Sequence, residues 1–275
     1  MSFATDCLAQ LERLGAAHPL PRVRALHLPP DPPPGQARGE FCALELEDGS
    51  LGLSYVLLED TLARLRLGDE GPAGADALAL ARLFVHGQGA QRALGLAAVN
   101  AISRWCFDRA AYRPPVSTDS LGALKPQPGD HIGMIGLFTP LLPRVLDSGA
   151  TLTVVELKAH LAAQHETWRV TLDAEELRHC NKVLGTGTLL LNDTLDRMLG
   201  CCSSAQWLAL IGPSLGCLPD GLLARGVTLI GGNWVLDGPA YVDALRSGEQ
   251  RRGLAQKVAI TAADYPGFEA LLARL

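Results

Sequence analysis

The segment from Asp130 to Glu156, DHIGMIGLFTPLLPRVLDSGATLTVVE, constrains the fold more than any other part of the chain. Residues 131–135 form an apolar run that predicts a buried strand, and Gly133 and Gly136 bracket its end. A helix is expected next, and the β-branched run at residues 151–155 predicts a second strand that ends on an acid. Strand, glycine turn, helix and strand in this order are typical of the start of a doubly wound α/β unit.

The same alternation continues through the C-terminal half of the chain. After a stretch at residues 157–169 that we expect to be irregular, strands are predicted at residues 182–184, 207–211, 227–230 and 257–261. The carboxyl ends of parallel strands meet at one edge of an open sheet, where ligands usually bind. The predicted fold class is therefore α/β, with a Rossmann-like parallel sheet.

The N-terminal part has a different pattern, which predicts a smaller α+β domain. Residues 41–47 and 51–58 flank the turn signal Asp48–Gly49 and predict a hairpin. Residues 91–105 predict a helix with a smooth face of small residues, suited to close packing. A proline-rich loop with no regular structure is expected after residue 28.

A second proline-rich stretch, which has no clear period, separates the two patterns and is interpreted as a linker. The predicted domains are residues 1–115 and residues 129–275, joined by a linker at residues 116–128. A chain of 275 residues is long enough for one large domain or two modest ones.

Composition excludes several classes of function. The net charge is −5 and no block of Lys or Arg stands out, so no nucleic-acid partner is expected. No apolar run reaches about 18 residues and the N-terminus does not resemble a signal peptide, so we expect no membrane partner and a cytoplasmic location. The seven cysteines form no CxxC motif, and their odd number argues against a disulfide framework.

The predicted crevice is rich in neutral hydrogen-bonding groups and has one clear acid, Glu156. Its polar groups follow the strand ends in turns whose backbone N–H groups are expected to point at a ligand: Thr186, Thr188, Asn192, Thr194 and Ser214. Asn100, inside the smooth helix, either points into this crevice or makes a local hydrogen bond.

The first glycine turn departs from the dinucleotide fingerprint G-x-G-x-x-G, since Gly133-x-x-Gly136 is followed by Leu137 and Phe138. Phe138 would crowd a pyrophosphate lying on the turn. Glu156, however, stands at the end of the second strand, where a ribose-binding acid belongs. A nicotinamide cofactor or S-adenosylmethionine on this turn therefore stays open as an alternative.

Candidate metal ligands are few. Glu156 supplies a carboxylate, and Cys217 follows Ser214 in a turn expected to face the crevice, so both are candidates for a divalent transition metal. His160 and His165 lie near Glu156 in sequence and are either further ligands or solvated loop residues.

Two runs in the C-terminal half, LGTGTLLLNDTLDRML and LIGPSLGCLPDGLLARGVTLIGGNWVLD, resemble the family described as putative heavy-metal chelation domains. IGMIGLF and LTVVEL fit the same family, and ALGLAAVNAI resembles the enolase N-terminal-like domain that usually precedes it. The likeness covers about residues 40–252. The chain reads PSLGCLP where the family commonly has a PST motif, and this departure is expected to alter ligand choice.

The resemblance implies a small enolase N-terminal-like domain packed on a Rossmann-like domain, with a composite site between them. Carried over by motif, the ligand-binding candidates are Asn100, Gly136, Phe138, Glu156, Thr186, Thr188, Asn192, Thr194 and Ser214.

Three functions are compatible with the sequence. The leading hypothesis is binding of a metal ion or a metal-chelating small molecule in the interdomain crevice. The alternative is an enzyme that acts on a small polar metabolite, with a nucleotide-type cofactor on the first glycine turn. A structural or assembly role with an empty crevice is the third. A homodimer is a working expectation.

Overall fold

The computed structural model describes residues 2–31, 40–68, 71–119, 121 and 123–275. Most of the proline-rich loop predicted after residue 28 lies outside these ranges, as do Ser120 and Gly122 of the predicted linker. The described residues form two β-sheets with helices packed against them, so the α/β fold class is confirmed.

Among the described residues, the longest helix is Ala90–Arg109, with 20 residues. The helices are α1 (Phe3–Ala17), α2 (Thr61–Arg66), α3 (Ala77–Ala81), α4 (Leu83–His86), α5 (Ala90–Arg109), α6 (Leu142–Leu146), α7 (Leu195–Cys201), α8 (Asp220–Leu223), α9 (Gly238–Ser247) and α10 (Phe268–Leu272). The described ranges also contain 3₁₀ helices at Thr139–Leu141, Ala159–Leu161, Ala174–His179 and Gly187–Leu190. Among the helices of the described residues, none combines the length and apolarity needed to cross a membrane.

The strands divide between the two sheets at the middle of the chain. They are β1 (Val23–His27), β2 (Phe41–Leu46), β3 (Leu51–Tyr55), β4 (His131–Ile135), β5 (Thr151–Val155), β6 (Ala163–Gln164), β7 (Trp168–Thr171), β8 (Lys182–Thr186), β9 (Trp207–Ile211), β10 (Leu229–Val235) and β11 (Ala255–Ile260).

The N-terminal sheet is antiparallel, in the order β1-β2-β3, and the long helix α5 packs on it. The contact between α5 and β3 is unusually close because both surfaces are made of small residues. A Cβ atom at Gly52 of β3 would lie 2.0 Å from the carbonyl oxygen of Ala97 and 2.2 Å from the amide nitrogen of Ala101. Only glycine lets the strand lie this near the helix backbone.

The C-terminal sheet has the order β11-β10-β9-β8-β4-β5-β7-β6. Strands β10, β9, β8, β4, β5 and β7 are parallel, and the two outer strands pair antiparallel to their neighbours. Numbered along the chain, the six parallel strands follow the order 3-2-1-4-5-6 of doubly wound dinucleotide-binding folds. The direction of winding therefore reverses between β4 and β8.

The structure corrects the prediction for the region after β5. Residues 157–169 were expected to be irregular, but they contain β6 and the start of β7. In β7 Val170 alone is buried, because this strand lies near the outer edge of the sheet, so its four residues show no apolar period. After β8 the chain forms the short 3₁₀ helix at Gly187–Leu190, and α7 follows as a separate helix.

Strand β10 is longer than predicted. The predicted strand ended at residue 230, but Gly231 and Gly232 lie inside β10, because this strand continues past the end of β9 and pairs with β11 there. Val116 also forms a bridge with Val258 of β11. The start of the proposed linker therefore lies along the sheet edge. The domain bounds themselves stay a prediction.

The contact at Gly52 generates a stability prediction. We expect Gly52→Ala to lower the free energy of unfolding by about 3 kcal/mol, because its methyl group must push β3 away from α5. A Cβ atom at Gly200 of α7 would meet nothing within 4 Å beyond its own helix backbone, so Gly200→Ala is the matched control and should raise stability by roughly 0.5–1 kcal/mol. Urea unfolding followed by circular dichroism measures both; equal effects of the two variants would contradict the close contact.

Candidate functional site

The carboxyl ends of β4, β5 and β8 line a pocket of about 300 Å³, which we call the switch-point pocket. It lies where the winding of the sheet reverses, which is the usual ligand position in this class of fold. Seven of the nine predicted ligand-binding residues line it, namely Gly136, Phe138, Glu156, Thr186, Thr188, Asn192 and Thr194. The structure thus brings together residues that are spread over almost 60 positions of the sequence.

Glu156 holds the first glycine turn. Its Oε1 accepts a hydrogen bond from the backbone N–H of Leu137 at 2.7 Å, and its Oε2 accepts one from the N–H of Leu157 at 3.1 Å. Gly136 has a φ of 89°, which favours glycine, and a Cβ atom there would lie 3.1 Å from Cγ2 of Thr186. The carboxylate therefore clamps the turn and offers a ligand only its remaining lone pairs.

The same bonds correct one expectation about this turn. Its backbone N–H groups were expected to point at a ligand. The N–H of Gly136 instead donates to the carbonyl of Val155 at 2.9 Å, and the N–H of Leu137 is bound by Glu156. These two N–H groups are therefore not available to a ligand.

The hydroxyl and amide groups of the pocket occur in two pairs. Oγ1 of Thr186 accepts from the N–H and the hydroxyl of Thr188, both at 3.3 Å. Oδ1 of Asn192 accepts from the hydroxyl of Thr194 at 2.6 Å and from its N–H at 3.3 Å. These bonds fix the rotamers and leave the Thr186 hydroxyl proton and the Asn192 amide N–H groups to donate to a ligand.

Asn100 and Ser214 lie behind the pocket and are each 2% exposed. The Asn100 side-chain amide donates to the carbonyl of Leu53 at 2.7 Å and to the carbonyl of Ser214 at 2.8 Å. Oγ of Ser214 in turn accepts from the backbone N–H of Tyr55 at 3.0 Å. The two predicted residues therefore fasten β3 to the turn after β9, and they position Tyr55 at the pocket.

Sequence reasoning missed Tyr55 and Lys158, which both line the switch-point pocket. Tyr55 is the last residue of β3 and comes from the N-terminal sheet. Burial, and then the charge of Glu40, raise the pKa of Tyr55, so its phenol stays neutral and available as a hydrogen-bond donor. Lys158 lies two residues after Glu156, and this position in the sequence could have predicted a cation near the pocket.

Arg92 supports the far wall of the pocket from α5. Its Nε donates to the carbonyl of Leu190 at 2.8 Å and its Nη2 to Oδ1 of Asp193 at 2.9 Å, while its guanidinium lies over the ring of Phe84. Burial lowers the pKa of Arg92 and Asp193 partly offsets this, and the group stays protonated at neutral pH. The loop between the 3₁₀ helix and α7, which includes Asn192, is thus held by a side chain of the N-terminal half.

Cys217 does not share a pocket with Glu156, with which it was predicted to bind a metal. It is 2% exposed and lines a separate cavity of about 40 Å³ beside Asn100. Burial raises the pKa of the Cys217 thiol to about 12. A thiol must be deprotonated to bind a metal, so this position is unsuited to one.

The donor set of the pocket fits a bare metal ion poorly. All seven cysteines are buried, and burial is the main cause of a raised pKa in each. His160 and His165 are exposed, and His165 stacks on Trp168 with 3.9 Å between ring centroids. Within the described ranges, no three His, Cys, Asp or Glu side chains are grouped so that they can hold a metal ion.

Comparison with known families identifies the chain. A family model described as "Putative heavy-metal chelation" matches residues 119–264, and a second model with the same description matches residues 39–103. The chain belongs to this family. No curated protein matches the chain significantly.

Two solved structures share the fold of this family member. One is a protein with unknown function from the DUF364 family of Desulfitobacterium hafniense DCB-2, with a TM-score of 0.64 and 17% identity over 92% of this chain and 98% of that one. The other, from the same family in Pyrococcus horikoshii, has a TM-score of 0.67 and 16% identity over 95% of this chain and 100% of that one. Identities this low show the fold alone.

The bridge made by Asn100 generates the second prediction. Asn100→Ala removes both donors and leaves two buried carbonyls unpaired, so we expect the free energy of unfolding to fall by about 2–4 kcal/mol. Asn233→Ala, at an exposed asparagine, is the matched control and should change stability by no more than about 0.5 kcal/mol. Thermal and urea unfolding measure both, and a loss below about 1 kcal/mol for Asn100→Ala would show that the bridge is dispensable.

Proposed function

We propose that the protein binds a metal-chelating small molecule, or its metal complex, in the switch-point pocket. The family description supports a role in handling heavy metals. The lining of the pocket supports binding of the metal as a complex with an organic chelator. The metal is cargo in this proposal, held by the organic ligand, while the protein recognises that ligand.

The donor set of the pocket is the observation on which this proposal rests. Its one carboxylate, Glu156, already accepts two backbone hydrogen bonds, and its other polar side chains are mainly neutral hydroxyl and amide groups. Divalent transition metals prefer imidazole, thiolate and carboxylate ligands. Hydroxyl and amide groups are instead well suited to orient a polar organic molecule.

Each side chain has a role in this proposal. Thr186 and Asn192 donate hydrogen bonds to oxygen atoms of the ligand, and Lys158 supplies a positive charge for a carboxylate group of a chelator. Tyr55 contributes a neutral phenol from the N-terminal sheet, so the site is composite. Phe138 and Leu189 provide apolar contacts for the carbon skeleton.

Thermal shift with metal and chelate probes tests the proposal. We expect nickel citrate or zinc citrate to raise the melting temperature by about 5 °C at 100 times its dissociation constant, where mass action stabilises the native state by about 2.7 kcal/mol. NiCl₂ and ZnCl₂ alone should give no saturable shift, because the pocket lacks the ligands for a bare ion. Citrate alone separates recognition of the chelator from recognition of the complex.

Thr186→Val should weaken chelate binding about tenfold, because the isosteric side chain cannot donate a hydrogen bond. Thr151→Val is the matched control, since Thr151 is exposed at the opposite end of β5. A saturable shift with the bare ions, or equal affinities of the two variants for the chelate, would contradict the proposal. Isothermal titration calorimetry gives the affinities and the stoichiometry.

A second candidate function is an enzyme with a nucleotide-type cofactor on the first glycine turn. The strand order and the position of Glu156 at the end of β5 favour it. Against it, Phe138 lines the same pocket, and the two oxygens of Glu156 already accept backbone hydrogen bonds, one from Leu137 of the turn and one from Leu157.

Thermal shift with S-adenosylmethionine, NAD and NADP tests this second candidate. If one of them binds through Glu156, we expect a saturable shift of the melting temperature. Glu156→Gln should then lower the affinity for that compound at least tenfold. Glu166→Gln, at an exposed acid on the loop before β7, is the control and should not change the shift. The absence of a shift with all three compounds would leave the chelate as the favoured ligand.

A cytoplasmic location and a homodimer belong to the same proposal. A chelate-binding protein that acts on metal pools inside the cell needs no membrane contact. Sedimentation velocity of the purified chain measures its oligomeric state directly, and a monomer at micromolar concentration would contradict the homodimer.

A further inference from the structure

A second and larger pocket lies on the other side of Phe138 and has a volume of about 580 Å³; we call it the edge pocket. Its floor is the face of β9, β10 and β11, and its opposite wall comes from α6 and the segment before it. Of the described residues that line the two pockets, they share only Phe138. The volume lies in the range of about 300–1,000 Å³ typical of small-molecule sites.

The register of the strands determines the chemistry of the floor. Alternate residues of a strand point to the same face, so Leu229, Gly231 and Asn233 of β10 line the pocket together. In β11, Ala259 pairs with Gly231 and Lys257 pairs with Asn233. The floor is therefore apolar and lacks a side chain at its middle, and it ends in an amide and an ammonium group side by side.

The opposite wall adds apolar surface and a neutralised ion pair. Phe138 and Leu141 face the floor, and Arg144 pairs with Asp119 at 3.2 Å. The Asp119 carboxylate also accepts hydrogen bonds from the backbone N–H groups of Leu121 and Ala123, both at 2.9 Å. The negative charge of Asp119 is thus already balanced by Arg144 and by two backbone N–H groups.

Lys257 is the other positively charged residue that lines the edge pocket. It is exposed, and it forms no ion pair within the described part of the chain. Beside the Arg144–Asp119 pair, Lys257 gives the described lining of the edge pocket one further positive charge. An anionic group of a ligand placed there gains both the charge of Lys257 and the amide donors of Asn233.

We propose that the edge pocket is a second small-molecule site, which binds an organic monoanion with a compact apolar body. The apolar body lies on Leu229, Gly231 and Ala259, and the anionic group lies against Lys257 and Asn233. This site is separate from the switch-point pocket and does not depend on the function proposed for it.

A pair of fluorescent probes tests both halves of this proposal. 8-Anilinonaphthalene-1-sulfonate has an aromatic body and a sulfonate, and N-phenyl-1-naphthylamine has a similar body without charge. We expect both to bind the folded chain saturably at one site per chain. Lys257→Gln should weaken binding of the sulfonate about 3–10-fold and change the affinity for the neutral probe by no more than about twofold. The effect of Lys257→Gln on the sulfonate affinity should become smaller in high salt.

Three further variants serve as controls. Arg246→Gln removes the same charge from an exposed position on α9 that lines neither pocket, and it should leave both probes unaffected. Ala259→Trp fills the floor and should abolish binding of both probes, while Thr186→Val in the switch-point pocket should change neither. Circular dichroism confirms that each variant is folded.

Several outcomes would overturn the proposal. One is sulfonate binding that survives Ala259→Trp, since the probe would then lie elsewhere. Equal loss of the sulfonate in Lys257→Gln and Arg246→Gln would show a general charge effect. If sedimentation shows that Ala259→Trp converts a dimer into a monomer, this face is an interface between two copies of the chain and not a ligand site.

Discussion

The side-chain amide of Asn100 joins the two halves of the molecule where the site is built. Its two N–H groups bind carbonyls of Leu53 and Ser214, one from the N-terminal sheet and one from the turn after β9. Each carbonyl is buried, and each would be left unpaired without this amide. The hydrogen bond from the N–H of Tyr55 to Ser214 completes the bridge and orients the end of β3. The composite character of the switch-point pocket depends on this small buried network.

Close packing allows the bridge to form. Glycine at position 52 lets β3 approach the backbone of α5, and this contact brings Asn100 within reach of Leu53. Arg92, two turns earlier on the same helix, reaches the loop of Asn192 in the same way. One long helix thus positions both the tyrosine of the N-terminal sheet and the polar loop of the C-terminal sheet.

The sequence predicted the central strands well because they are short apolar runs bounded by glycine. β4, β5 and β9 have the bounds expected from their residues. It also predicted which turns meet, because parallel strands must end at a common edge. Seven of the nine candidate residues line one pocket for this reason.

What the sequence could not show depends on contacts between distant residues. The partners of Asn100 are 47 and 114 residues away, and no local pattern distinguishes a buried bridge from a ligand contact. Tyr55 was missed because its place in the pocket depends on how the two sheets pack. Strand β7 was missed because a strand next to the sheet edge with one buried residue has no apolar period. Cys217 was expected to be accessible because its turn follows a strand end, yet its side chain is buried.

The burial of every thiol has a consequence for a protein of this family. Soft toxic ions such as mercury and cadmium inactivate proteins chiefly by capturing thiolates. Here each thiol is enclosed and held neutral, so capture first requires the core to open. Its tolerance of these ions should therefore follow its conformational stability rather than the chemistry of its surface. The folded chain can therefore be exposed to heavy-metal ions without binding them through its cysteines.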